Sequence, residues 1–145
     1  MTTRSVPGPT ISRGPSAGRQ GKGRIEATNP TDIRKYALLA ARVADDKKGE
    51  EVLVLDVGDT LNVTDMFVIA HAPNNRLVAA IVDSIEQAVK DAGGPAPVAI
   101  EGLREASWVL MDYAGFVVHV FAEETRRYYD LERLFADSTK IEWRQ

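Results

Sequence analysis

Three carboxylates fall close together in the sequence, around the link between two predicted strands: Asp56, Asp59 and Asp65. Carboxylates grouped in this way hold the metal ions of enzymes that transfer nucleotidyl groups, so this is the enzymatic chemistry to consider first. The sequence lacks two other features of those enzymes: a Gly-Ser helix start that binds a triphosphate, and an Asp-x-Asp or Asp-x-Glu pair on a later strand. We therefore expect structural roles, in which Thr64 and Asp65 tie off the turn before the second strand through side-chain to backbone hydrogen bonds.

The chain has two histidines, His71 and His119. His119 falls in the middle of a predicted strand among Val and Phe, which favours a core or sheet-face histidine that makes one hydrogen bond. His71 falls at a strand end, a better position for function, but no partner stands at a recognisable spacing. Gly93-Gly94 follows a predicted helix, so it marks a helix end and does not form a phosphate loop. The sequence predicts no catalytic residue, no metal site and no cofactor.

Residues 108–121 predict a β-hairpin that suits binding better than catalysis. Gly115 of the dipeptide Ala114-Gly115 supplies the positive φ that a tight link needs. Strand alternation places Trp108, Leu110 and Asp112 on one face, and Val109, Met111 and Tyr113 on the other. A face that carries a large aromatic and ends in an acid is not purely core. Large aromatics usually bury, however, so Trp108 capping a small core stays open as an alternative.

The other elements follow from hydrophobic periodicity and from turn residues. We expect a first helix that begins at Pro30, is capped by Asn29 and ends before Gly49, and strands over 52–57, 66–72 and 98–101. A second helix should run from 73–75 to Gly93, with an inner stripe of Leu77, Ile81, Ile85 and Ala88. After the hairpin we expect a last helix whose buried side chains are Tyr128, Leu131 and Leu134. On that last helix Glu123 and Arg127 form an i,i+4 ion pair, while Arg126 and Tyr129 face outward or towards the hairpin. This order predicts the α/β class, with a single mixed five-stranded sheet, packed helices, and a right-handed crossover between the second and third strands.

Composition fits one domain with one core, because the chain has 145 residues, of which 44% are hydrophobic. Without cysteine there is no disulfide and no thiolate metal site, and nothing indicates an oxidising compartment. No apolar run approaches the roughly 20 residues of a membrane-spanning helix. The N-terminus lacks the apolar centre of a secretory signal. We expect a soluble cytoplasmic protein without membrane contact.

Both ends of the chain are predicted to lie outside the domain. We expect a disordered basic tail over 1–28, the folded domain over 29–137 and a C-terminal tail over 138–145. The first 25 residues contain five basic residues and no acid, which leaves 13 basic and 21 acidic residues and a net charge of −8 for the rest. An organellar transit peptide has a similar composition, but no amphipathic pattern supports one. An acidic domain favours a basic partner, and the tail could add weak contacts to rRNA phosphates.

The hairpin and residues 123–135 together resemble the ribosomal silencing factor family, also called the Iojap family. The hairpin resembles the family's Trp-hydrophobic-Asp-Tyr/Leu segment with its turn and hydrophobic-His-Val strand, and 123–135 resemble its Glu-x-Arg-x-Tyr-Tyr-x-Leu-Glu-x-Leu-Trp segment. Further matches are Leu55-Asp56-Val57, Thr64-Asp65 with the apolar run 66–70, Asn75-Arg76 and Glu101-Gly102. The resemblance spans about residues 30–137. Two departures stand out: Ala114-Gly115 replaces the usual Gly-Asp tip and removes a carboxylate there, and Phe135 replaces the usual Trp.

The resemblance implies a nucleotidyltransferase-like Iojap fold and a protein without enzymatic activity. Such a protein binds ribosomal protein uL14 on the large subunit and sterically blocks joining of the small subunit, which represses translation when nutrients are scarce. We expect the central contacts from Trp108, Leu110, Asp112 and Tyr113, and a polar rim from Arg76, Glu101, Arg104 and Glu105. A nucleotidyltransferase-like enzyme and a large-subunit assembly factor that uses the same surface are the alternatives. The resemblance also implies a homodimer as a plausible free state.

Overall fold

A computed structural model describes residues 30–61 and 63–144, so the predicted basic tail and the Asn29 cap lie outside the described residues. In chain order the elements are α1 (Pro30–Asp46), β1 (Glu50–Asp56), α2 (Gly58–Leu61), β2 (Met66–Ala72), α3 (Asn75–Asp91), β3 (Ala99–Glu101), β4 (Trp108–Asp112), β5 (Phe116–Ala122), α4 (Glu123–Tyr129), α5 (Leu131–Leu134) and β6 (Thr139–Lys140). In this part of the chain, no helix combines the length and the apolar character that crossing a membrane requires.

The sheet has the strand order β3-β4-β5-β2-β1-β6. Its central pair, β2 and β5, runs parallel, and every other neighbouring pair runs antiparallel. All seven residues of β2 are buried, as its continuous apolar sequence predicts for a strand that is covered on both faces. The predicted mixed α/β sheet is confirmed. A crossover is present as α3, which leads from β2 to β3 with β5 and β4 between them in the sheet; its right-handedness stays a prediction.

The sixth strand comes from the segment that was predicted to be a C-terminal tail, and that prediction is wrong. β6 pairs with β1 through Lys140 and Leu55. Beyond it, the amide of Ile141 donates to the Val54 carbonyl at 2.8 Å, and Trp143 Nε1 donates to the Val52 carbonyl at 3.1 Å. The indole is buried in the main core. The strand was missed because two residues are too short to give a period-two pattern.

Two cores lie on opposite faces of the sheet. The larger core packs the sheet against α1 and α3. The inner side of α3 is formed by Val78, Ile81, Val82, Ile85 and Val89; the predicted Leu77 and Ala88 are only half buried. The smaller core lies on the other face, which is covered by the short helices α4 and α5. One face of the sheet is therefore thinly covered.

The hairpin between β4 and β5 is confirmed, but the positive φ falls on a different residue. Ala114 has a φ of 72°, and Gly115 does not have a positive φ. The Ala114 amide donates to the Asp112 carboxylate at 2.8 Å, and the Gly115 amide donates to the Tyr113 carbonyl at 2.9 Å. The side chain of Asp112 thus holds the turn, and an alanine accepts a left-handed conformation that glycine would adopt with less strain.

The predicted last helix is two short helices. Asp130 interrupts it with a left-handed φ of 49°. Because the helical phase is lost there, Tyr128 and Leu134 do not share an inner stripe with the buried Leu131: they are 77% and 73% exposed. That part of the prediction is wrong. The predicted ion pair is present, with Arg127 Nη2 3.4 Å from the Glu123 carboxylate.

Candidate functional site

The four predicted contact residues of the hairpin differ in how deeply they are buried. Trp108 is partly exposed, whereas Leu110 and Tyr113 are each 2% exposed and Asp112 is 7% exposed. The predicted alternation is confirmed, since Tyr113 lies in the larger core while Leu110 and Trp108 lie in the smaller one. Burial raises the pKa of the Tyr113 hydroxyl, and the charge of Glu86 adds to the effect. In this conformation only Trp108 of the four has appreciable side-chain surface for a partner.

Trp108 lies in an aromatic cluster on the thinly covered face of the sheet. Its ring centroid is 4.9 Å from that of Phe121 and 4.8 Å from that of Tyr129. Its Nε1 donates to Nδ1 of His119 at 3.1 Å. His119 is fully buried, and burial lowers the pKa of its imidazole from 6.5 to about 3. The sequence prediction of a core histidine with one hydrogen bond is confirmed.

The four predicted rim residues lie near the end of the sheet where β4 begins. Arg104 and Glu105 are exposed in the loop before Trp108, Arg76 is exposed at the start of α3, and Glu101 is half buried at the end of β3. Asn75 Nδ2 donates to the Glu105 carbonyl at 3.0 Å and so connects the start of α3 to this loop.

Gly102 allows the loop between β3 and β4 to pass close to the backbone of β4. It has a φ of 86°, and a Cβ atom there would lie 2.2 Å from the Trp108 carbonyl oxygen. Only glycine permits this approach.

An exposed aromatic that sequence reasoning missed lies beside the same cluster. Tyr128 meets the ring of Tyr129 edge-on, with centroids 5.0 Å apart. Tyr129 in turn packs on Trp108, so of its two predicted orientations the one towards the hairpin is confirmed. The Tyr128-Tyr129 doublet carried a usable signal, because neighbouring residues on a helix cannot both face the same neighbour.

Arg126 was predicted to face outward or towards the hairpin, and this prediction is wrong. The guanidinium is buried and donates to Nδ1 of His71 at 2.9 Å and to the carbonyls of Glu50 and Glu51 at 3.3 and 2.9 Å. It also pairs with the Glu132 carboxylate at 3.0 Å. Arg126 therefore ties α4 and α5 to the start of β1 and the end of β2. Sequence spacing could not show this, because His71 and the two carbonyls lie 55 to 76 residues away.

Glu50, His71 and Glu123 bring potential metal ligands within 4.8 Å of one another. The hydrogen bonds argue against a metal there. A guanidinium can only donate, so Nδ1 of His71 must accept from Arg126, and the ring proton lies on Nε2, 3.2 Å from the Glu50 carboxylate. A metal on Nε2 would have to displace that proton close to a buried positive charge. His71 is held here by Arg126 and lies 3.2 Å from the Glu50 carboxylate, an arrangement that fits a structural role.

The three aspartates line a cleft of about 740 Å³ between the start of α1 and α2, together with Arg34 and Lys35. Among the residues described, they do not converge as a set of metal ligands.

Within the described residues, the link between β1 and β2 beside this cleft lacks the side-chain hydrogen bond that was predicted for Thr64. Asp56 accepts from the Gly58 amide at 3.2 Å. Thr64 Oγ1 is buried and has no hydrogen-bond partner within 30–61 and 63–144. Backbone hydrogen bonds close the link before β2, since the Val57 amide donates to the Asp65 carbonyl and the Asp65 amide to the Gly115 carbonyl, each at 2.9 Å. The role predicted for the Thr64 side chain is therefore wrong.

Comparison with known proteins identifies the family. Residues 30–145 match a family described as "Ribosomal silencing factor during starvation". Ribosomal silencing factor RsfS of Bacillus subtilis is 40% identical over 100 residues, which cover 69% of this chain and 84% of that protein. The chloroplastic protein Iojap of Zea mays is 30% identical over 129 residues, which cover 88% of this chain and 55% of that protein.

Solved structures agree with this. The crystal structure of a Chromobacterium violaceum protein superposes with a TM-score of 0.68 at 33% identity, covering 72% of this chain and 86% of the other. A Bacillus halodurans protein of known structure gives a TM-score of 0.63 at 32% identity, covering 77% and 98%. The resemblance found in the hairpin and in residues 123–135 is thereby confirmed, and the chain belongs to the ribosomal silencing factor family.

Proposed function

We propose that the protein binds ribosomal protein uL14 on the large ribosomal subunit and sterically blocks joining of the small subunit, which represses translation. Family membership supports a silencing role at the ribosome. The identity of the contacted protein and the steric block are our proposal. Neither requires a chemical reaction, so the protein would act by occupying a surface.

The partial exposure of Trp108 is the observation that carries the proposal. Buried aromatic anchors that are surrounded by polar residues dominate the energy of protein interfaces. Trp108 combines an exposed part with a fixed position, because Phe121 and Tyr129 hold its ring. Arg76, Arg104 and Glu105 supply exposed charge near it.

The other predicted central contacts receive an indirect role in this proposal. Leu110 and Tyr113 pack beneath the hairpin, and Asp112 holds its turn. We propose that these three keep β4 in place while Trp108 and the rim, completed by Glu101, meet the partner. Tyr128 extends the apolar surface, because it is exposed and is linked to Trp108 through Tyr129.

Charge supports a basic partner. Outside the first 25 residues, the 13 basic and 21 acidic side chains give a net charge of −8. A ribosomal protein surface is basic, so opposite charges would accelerate the encounter and would make the association rate fall with salt. The basic first segment could add contacts to rRNA phosphates.

Cosedimentation tests the proposal. The protein should pellet with isolated large subunits and not with assembled ribosomes, because the small subunit covers the contacted surface in the latter. Trp108→Ala should weaken large-subunit binding by about 2 kcal/mol, which is roughly 30-fold. Arg42→Ala is a suitable control, since Arg42 is exposed on α1, which packs on the opposite face of the sheet.

The result separates the alternatives. Mature large and small subunits mixed with the protein should join more slowly, as light scattering would show, and Trp108→Ala should restore joining. An assembly factor would bind immature particles and leave the joining of mature subunits unchanged. Equal binding to subunits and to whole ribosomes would contradict the steric mechanism.

A further inference from the structure

We propose that His119 is a positioning residue for Trp108: by accepting the indole proton it fixes the ring and leaves only carbon atoms of the indole for a partner. The first half concerns the free protein, while the second half rests on the proposed function. The partner would then meet Trp108 through apolar contact and not through a hydrogen bond to its Nε1.

The register of the sheet brings the two rings together. In the antiparallel pair of β4 and β5, Trp108 lies opposite Phe121, and Leu110 lies opposite His119. Trp108 and His119 are therefore diagonal neighbours on the same face of the sheet, within reach of large side chains. Their contact is the 3.1 Å hydrogen bond from Nε1 to Nδ1. A shift of register by one residue would place the two rings on opposite faces.

This hydrogen bond determines the tautomer of His119. An indole nitrogen can only donate, so Nδ1 must be unprotonated and Nε2 must carry the ring proton. Burial lowers the pKa of the imidazole to about 3, so the ring stays neutral and Nδ1 remains an acceptor at neutral pH.

Burying the polar imidazole of His119 costs free energy, which indicates that its role is not simply to fill space. Nε2 is buried without a hydrogen-bond partner in the described part of the chain. Phe67 meets the ring edge-on at 4.5 Å, and Phe121 lies 6.2 Å away. Among these rings an apolar side chain would leave no polar atom unpaired. The acceptor that His119 offers to Trp108 is the property that an apolar residue cannot supply.

Two substitutions separate the role of His119 as a hydrogen-bond acceptor from the volume that its side chain fills. His119→Asn keeps an acceptor, because Asn Oδ1 lies about where Nδ1 of His lies, whereas His119→Leu keeps apolar volume without one. The readout in the free protein is hydrogen exchange of the indole N–H groups, followed by NMR. Trp143 is the second of the two tryptophans, and its Nε1 donates to the Val52 carbonyl, so it is an internal control for folding.

In His119→Leu the indole proton of Trp108 should exchange at least about 10-fold faster while that of Trp143 is unchanged, and His119→Asn should largely restore protection. Affinity for isolated large subunits should fall about 10-fold in His119→Leu and stay within about 3-fold in His119→Asn. Unchanged exchange of Trp108 in His119→Leu would overturn the positioning role.

Trp108→Phe provides a second background, in which no indole donor is left unpaired when the acceptor of His119 is removed. It retains a ring without a donor, so His119→Leu should not reduce binding further in that background. A further loss there would show that His119 acts independently of Trp108 and would overturn the inference. The proposed function is tested separately by Trp108→Ala. Unchanged binding of this variant to large subunits would contradict the proposed function, whatever the indole exchange shows.

Discussion

Arg126 of α4 and His71 of β2 meet inside the domain, with the guanidinium Nη1 2.9 Å from the ring Nδ1. The same guanidinium binds the carbonyls of Glu50 and Glu51, where β1 has a bulge and Glu51 has a positive φ of 47°. The Arg126 side chain thus donates hydrogen bonds to the carbonyls of an irregular strand and to a buried histidine, and it pairs with the carboxylate of Glu132. The two short helices beside Trp108 are held through this contact.

Arg126→Met should lower the free energy of unfolding by about 3 kcal/mol, because it leaves buried polar partners unsatisfied. Urea unfolding followed by circular dichroism would measure the change. Arg127→Met is the matched control: Arg127 pairs with Glu51 at 3.1 Å on the surface, where solvent screens the charges and an ion pair contributes little to stability. Similar losses in the two variants would show that burial of Arg126 adds nothing.

Trp143→Ala should lower the free energy of unfolding by about 3 kcal/mol or more, since it empties part of the main core and removes the hydrogen bond to Val52. The control is Arg144→Ala, which removes only the cation 4.3 Å above the Trp143 ring, a contact worth about 0.5–1 kcal/mol. Thermal unfolding would measure both. A Trp143 variant as stable as wild type would mean that residues 138–145 are a tail after all.

The sequence predicted those parts of the fold that depend on local patterns. Buried strands such as β2, the start of α3 near residues 73–75 and the alternation along β4 follow from side-chain period and turn residues. Contacts between distant residues could not be predicted in this way. The burial of Arg126 depends on partners in β1 and β2, and the exposure of Tyr128 depends on the break at Asp130.

The candidate site shows the same division. Trp108 was recognised by residue type and position, and His119 was predicted as a core or sheet-face histidine with one hydrogen bond, but the pairing of the two was not predicted. The deep burial of Leu110 and Tyr113 was not predicted, because alternation predicts which face of the sheet a side chain lies on and not what covers that face.

Mg²⁺ with each nucleoside triphosphate should not raise the melting temperature of the protein, because a ligand stabilises only a fold that binds it. This prediction addresses the enzymatic alternative at the cleft lined by Asp56, Asp59 and Asp65. Asp59→Asn should cost little stability and should leave ribosome binding unchanged, since Asp59 is exposed. A thermal shift that grows with nucleotide concentration and disappears in Asp59→Asn or Asp65→Asn would instead support nucleotidyl transfer.

The stability of the protein should depend on the protonation of His119 in mildly acidic solution. Burial holds the pKa of the folded-state imidazole at about 3, below its ordinary value of 6.5. Above pH 6.5 the ring is neutral in both states, so it makes no pH-dependent contribution. Between 6.5 and 3 the unfolded chain binds a proton that the folded protein does not, so the free energy of unfolding falls by up to about 1.4 kcal/mol per pH unit.

Urea unfolding at pH 7 and pH 5, for the wild type and for His119→Asn, measures this contribution. All other ionisable groups are common to both proteins, so the difference between the two pH dependences isolates His119. The wild type should lose about 2 kcal/mol more than the variant, because the unfolded imidazole is protonated over about 1.5 pH units of that interval. Equal losses would show that His119 takes up a proton inside the fold, in which case it could not remain an acceptor for Trp108 at low pH.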